Sequence, residues 1–121
     1  MTVSVGHCHP KVNAALHQQI ESLWHTTNIY MYPGHYEYAE KLTNKLPGDL
    51  KVCLFTNSGS EANDLAMHLT RLYTGRQDLV ALRNGYHGMS SSTMGLTSMG
   101  TWKYNLPNGM GMHHAMVPGN N

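Results

Sequence analysis

Charge is scarce in this 121-residue, 13.5 kDa chain. Asp, Glu, Lys and Arg make up 12% of it, against about 25% in an average soluble domain. So few charges suit either a surface of Ser, Thr, Asn and His or one that other protein covers. The eight basic residues are scattered and the net charge is +1, which excludes the basic patch of a nucleic-acid binder. No apolar run is long enough to span a bilayer. Residues 1–6 carry neither the pattern of a secretory signal nor the Arg-rich pattern of a transit peptide. Two cysteines, Cys8 and Cys53, do not make a disulfide framework. Cys53 lies in an apolar run and is expected to be a small buried residue in a reducing compartment. There is no internal repeat and no G-x-x-x-x-G-K-[ST] run, which excludes a nucleotide P-loop.

What is present is a 40% hydrophobic fraction, enough to exclude a wholly disordered chain, in a length that holds one domain at most. Pro10 suits a first helical position. Val12, Ala15, Leu16, Ile20, Leu23 and Trp24 form an apolar stripe at helical spacing, so a helix is expected over Pro10–Trp24. A loop over His25–Gly34 leads to a second helix over His35–Leu46, stopped by Pro47-Gly48. Val52-Cys53-Leu54-Phe55 is a short continuous apolar run, typical of a strand buried on both faces. A polar turn at residues 56–60 then opens a helix to about Tyr73, which Gly75 ends. Leu79–Leu82 is expected to be a second buried strand. Strand, helix and strand form a βαβ unit and mark an α/β protein. Residues 84–88 read as a loop, 89–97 as a short helix, and 101–121 as loop.

Three features could carry chemistry. Within Asn57-Ser58-Gly59-Ser60-Glu61-Ala62-Asn63-Asp64, Ser58 and Glu61 fit a capping box. The amides of Gly59 and Ser60 would then open a helix with no intrahelical partner, in the positive end of its dipole. Gly59 lets a ligand approach closely and Ser60 adds a hydroxyl, which makes a cradle suited to phosphate. The same spacing also fits a plain capped helix start. Tyr86-His87, between Gly85 and Gly88, would follow the second strand. Loops after parallel strands share one sheet edge, so Tyr86 could stack on a flat ligand whose phosphate sits at Gly59. Tyr86 could equally pack on its own loop. The nine histidines include His7-Cys8-His9 and His113-His114, but neither cluster supplies the three or four ligands of a metal centre. Met89, Met94 and Met99 recur every five residues and share no helix face.

The runs Gly6-His7-Cys8-His9-Pro10, Asn57 to Asp64 and Tyr86-His87-Gly88, in this order and spacing, resemble the class III pyridoxal-phosphate aminotransferases over essentially the whole chain. The resemblance implies part of the fold type I transferase architecture, with an incomplete sheet. Residues 1–34 would be a small-domain segment bordering the substrate, with one helix, and residues 35–121 the start of the cofactor-binding large domain. In the family's sheet the two strands read here are not neighbours. The resemblance further implies pyridoxal 5'-phosphate as cofactor. Gly59 and Ser60 would hold its phosphate, Tyr86 would stack on its ring, and His87 belongs to the same motif. It implies amino transfer between an alanine-like donor and a glyoxylate-like 2-oxo acid, a homo-oligomer in the complete enzyme, and a mitochondrial setting. Members are far longer, and the lysine that carries the cofactor and the Asp that pairs with its ring nitrogen lie downstream in them. Lys11, Lys41, Lys45, Lys51 and Lys103 match no such motif. The chain is thus expected to be the front portion of an enzyme, inactive alone and with no catalytic residue of its own. Two other readings are a silent truncated chain that associates with full-length subunits and an independent binder of phosphate ligands.

Overall fold

A computed structural model of the chain describes residues 2–107 and 110–119. It forms two compact units, one ending at Cys53 and the other beginning at Leu54.

The first unit contains helices α1 (Pro10–Ser22) and α2 (Pro33–Thr43). Each opens on a proline, whose missing N–H is no loss in a first turn. α1 stops short of Trp24 for a local reason. Leu23 is extended at φ −159° and its N–H donates to the Gln19 carbonyl, while Gln19 Nε2 donates back to the Leu23 carbonyl at 2.8 Å. That closed pair of bonds outweighs the apolar stripe. The same Gln19 accepts from the Tyr32 hydroxyl at 2.6 Å and so ties α1 to the turn before α2. α2 begins at Pro33 rather than His35. It gives way after Thr43 to tighter turns in which Lys45 and Leu46 donate three residues back. Neither helix contains a buried residue; the expected inner stripe of Val12, Leu16 and Ile20 is exposed. Cys53 is half-buried, its Sγ 3.9 Å from the Ala39 carbonyl oxygen, and not enclosed as its apolar neighbours suggested.

The second unit contains helix α3 (Gly59–Thr74), strand β1 (Leu79–Leu82), a single helical turn α4 (Thr93–Leu96), a 3₁₀ turn (Gly100–Trp102) and strand β2 (Met112–Ala115). α3 begins and ends where its cap residues dictate. Ser58 is the N-cap, and Gly75 closes the helix in the left-handed region at φ 68°, donating to the Arg71 carbonyl, a conformation that costs a residue with a Cβ more than glycine.

The sheet departs from the expectation in both strands flanking β1. Residues 52–55 are not in a strand, and Val52 is 86% exposed. An apolar run becomes a strand only within a hydrogen-bonded ladder, and the sheet of the described residues consists of β1 and one other strand. The partner of β1 is instead β2, in a stretch expected to be loop, parts of which (108–109 and 120–121) lie outside the described residues. The pair is parallel, in register from Leu79 with Met112 to Leu82 with Ala115, and the crossover between them carries α4, as a parallel connection requires. His114 Nε2 lies 3.0 Å from the Leu96 carbonyl oxygen and joins β2 to α4, and His113 lies 3.4 Å from Asp78 on the surface.

α4 touches α3, β1 and β2, and the small core surrounds it: Met67, Ala81 and Met94, with Thr93 and Thr97 fully buried. Two compact bodies sharing this mass would expose about 8,000 Å²; the chain exposes 10399 Å². Leu72, Tyr73 and Val80 lie in that excess, at 82%, 93% and 70% exposed. Among the described residues no helix is long and apolar enough to cross a membrane.

Gly88 is the tightest joint of the second unit. It sits at φ +127°, and a Cβ there would fall 2.5 Å from Ser60 Oγ, 2.7 Å from Thr93 Oγ1 and 3.0 Å from Ser60 Cα. Gly88→Ala is therefore expected to destabilise the second unit by about 1–3 kcal/mol from backbone strain alone. It should also unprotect the Met89 amide, checked by urea unfolding and hydrogen exchange. Wild-type protection at Met89 would show that the joint is not tight.

Candidate functional site

Around the start of α3, the sequence spends two side chains to satisfy some backbone donors and leaves others open. Ser58 Oγ accepts from the Glu61 amide at 3.1 Å. The first helical bond runs from the Ala62 amide to the Ser58 carbonyl. The amides of Gly59 and Ser60 fall between these two and are used by neither. Glu61 does not turn toward them; its Oε2 accepts from the Asn57 amide at 2.7 Å, one residue earlier than in a standard capping box. The carboxylate is thereby folded back along the chain. At Gly59 a Cβ would meet no atom within 4 Å, so the backbone there is open to an approaching group. Two amides, a helix dipole and no opposing carboxylate over open space suit an anion.

Ser60 faces the loop that carries Tyr86 and His87. Its Oγ accepts from the Met89 amide at 3.2 Å. As acceptor of that bond the hydroxyl keeps its own proton to donate. Three residues along, Asn63 Nδ2 donates to the His87 carbonyl at 2.7 Å. The next residue, Asp64, accepts from Ser90 Oγ at 3.0 Å. The link between the helix mouth and Tyr86 therefore runs through the backbone of residues 87–89. Tyr86 is 49% exposed, and its ring meets Trp102 edge-on, centroids 6.1 Å apart. His87 behaves differently from its neighbour: Nε2 is buried with no hydrogen-bond partner among the described residues and sits where a Cβ on Gly85 would be 2.7 Å away. The imidazole thus packs on its own loop.

The structure brings Gly59, Ser60 and the Tyr86–His87 loop to one corner of the second unit. Asn63, Asp64, Ser90, Thr93 and Thr97, which make that corner rigid, were not singled out from sequence. One signal was available for two of them: Ser60, Asn63 and Asp64 are three and four residues apart and so lie on one helix face. Among the described residues no group of three or more His, Cys, Asp or Glu could hold a metal ion.

The aminotransferase class-III family model matches residues 1–118. Alanine–glyoxylate aminotransferase 2, mitochondrial, from Homo sapiens is 51% identical over 118 residues, covering 98% of this chain and 23% of that protein. The chain thus spans about a quarter of that relative's length. Among solved structures, a phospholyase from Arthrobacter in complex with phosphoethanolamine is 34% identical with a TM-score of 0.82, over 94% of this chain and 26% of that one. An amine transaminase from an uncultivated Pseudomonas species in its pyridoxal-phosphate-bound form is 29% identical with a TM-score of 0.80, over 94% and 28%. The two helices, the capped α3 and the small parallel sheet are accordingly part of the transaminase fold. The chain belongs to the class III aminotransferases, a family of pyridoxal phosphate enzymes.

Proposed function

We propose that the chain is the front portion of a class III aminotransferase and that its task is to hold pyridoxal 5'-phosphate. The observation that carries this reading is the unused pair of amides at Gly59 and Ser60 beside the loop of Tyr86. The Gly59 and Ser60 amides bind the cofactor's phosphate, and the Ser60 hydroxyl adds a third donor. Glu61, folded onto Asn57, keeps its charge out of the cradle. Tyr86 offers its face to the ring, and His87 packs the loop beneath it. When bound, pyridoxal phosphate supplies the electron sink for amino transfer.

The complete enzyme, in this reading, passes an amino group between an alanine-like donor and a glyoxylate-like 2-oxo acid, and works as a homo-oligomer in mitochondria. The human relative's name supports the substrates and the compartment. The many exposed large apolar side chains support a chain built to be covered. Residues 1–34 border the substrate and residues 35–121 begin the cofactor-binding domain. The five lysines fit no cofactor-carrying motif, so the 121-residue chain holds the cofactor without turning over substrate.

Gly59→Asp tests the reading because helix stability and phosphate binding respond to it in opposite directions. A carboxylate in the first turn stabilises α3, by about 0.3–1 kcal/mol, and there is space for it, whereas it repels a phosphate. Pyridoxal phosphate affinity, by equilibrium dialysis, is expected to fall about tenfold or more, with far-UV circular dichroism unchanged. Unchanged affinity in the variant would contradict the proposed cradle. In the same preparation, wild-type chain supplied with alanine, glyoxylate and the cofactor should form no pyruvate; steady pyruvate formation would contradict the assignment of the nucleophile to a missing segment.

A further inference from the structure

The cofactor reading gives Tyr86 a task that depends on the plane of its ring, yet says nothing of what sets that plane. The structure shows both peptide groups flanking Tyr86 held from outside the loop. On the near side, the Gly85 amide donates to the Leu82 carbonyl at 3.2 Å, and the Gly85 carbonyl accepts from the Ser98 amide at 3.0 Å. On the far side, the His87 amide donates to Thr97 Oγ1 at 3.0 Å and the His87 carbonyl accepts from Asn63 Nδ2 at 2.7 Å. Thr97 uses its hydroxyl in both senses, since it also donates to the Gly88 carbonyl at 3.2 Å, and it is fully buried. Tyr86 itself is half exposed, its ring touching Trp102 only edge-on.

The geometry points to Thr97 and Asn63 as positioning residues for Tyr86: they fix the backbone from which the ring projects, and so the plane it presents to an aromatic ligand. Packing on the ring is confined to the edge contact with Trp102, because a ligand needs one face free. The load passes to the backbone, where a buried bond is costly to break. Threonine suits the role because β-branching restricts its χ1 rotamers and its hydroxyl both accepts and donates. Asn63 contributes from α3, so the ring is held by the same helix that opens at Gly59. A ring held in place before binding loses less side-chain freedom when the ligand arrives. The inference rests on Tyr86 stacking on the cofactor ring.

NMR of the isotopically labelled 121-residue chain provides the test, through Tyr86–Trp102 ring cross-peaks in the free protein and the dissociation constant for pyridoxal phosphate. Thr97→Val keeps the shape and removes the hydroxyl; Thr97→Ser keeps the hydroxyl. Asn63→Leu removes the donor at similar size and serves if Thr97→Val does not fold. Wild type and Thr97→Ser should show the cross-peaks and bind with similar affinity. Thr97→Val and Asn63→Leu should lose them and bind about tenfold more weakly, with the helical shifts of residues 59–74 retained. Cross-peaks and affinity kept at wild-type levels in Thr97→Val and Asn63→Leu would overturn the inference, as would lost cross-peaks with unchanged affinity. Missing cross-peaks in the wild type would overturn it outright. If the wild type does not bind the cofactor, the stacking reading fails by itself, and the cross-peaks of the variants still decide whether Thr97 and Asn63 hold the ring.

Discussion

The second unit depends on a short set of hydrogen bonds that join one face of α3 to the loop after β1. Ser60 accepts from the Met89 amide, Asn63 donates to the His87 carbonyl, and Asp64 accepts from the Ser90 hydroxyl. Ser90 passes the connection to Thr93, whose Oγ1 lies 2.7 Å from Ser90 Oγ and accepts from the Ser90 amide. Thr97, one turn on, closes the set at His87 and Gly88. With Met67, Ala81 and Met94 as the buried apolar side chains, hydrophobic burial alone does not specify this corner. Direction-dependent bonds do, and a connected network of buried hydrogen bonds favours one arrangement.

The start of α3 shows how a helix can be capped and still keep backbone donors open. A helix start exposes several amides, and complete capping would leave nothing for a ligand. Here Ser58 takes the Glu61 amide, while Glu61 takes an amide outside the helix. The two donors that stay open are those at Gly59 and Ser60. The acidic side chain placed three residues in would oppose a phosphate if it faced the open amides; its backward turn keeps its charge away from them.

Much of α3 and β1 was legible from local chemistry. Ser58 and Gly75 mark the helix ends because a cap and a left-handed residue are read directly from side-chain type. β1 is apolar and short, and it is a strand. Where the outcome depended on distant partners, the sequence misled. Val52 to Phe55 has the composition of a buried strand, but no described strand includes it. β2, at Met112-His113-His114-Ala115, has no apolar run of its own; β1 provides its register and His114 binds the Leu96 carbonyl. The stripe of α1 does spell a helix, yet none of it is buried in the chain. Gly59, Ser60, Tyr86 and His87 stood out by residue type. Asn63 and Thr97 did not, because their meaning lies in backbone groups more than twenty and about ten residues away.

The proposed cradle comes down to two amides, those of Gly59 and Ser60, that receive a phosphate. Amide chemical shifts of the ¹⁵N-labelled chain, followed during titration with pyridoxal phosphate, examine this residue by residue. Gly59 and Ser60 are expected to show the largest saturable downfield shifts, as amides do when they donate to an anion. Saturable shifts centred on other residues, with Gly59 and Ser60 unmoved, would contradict it.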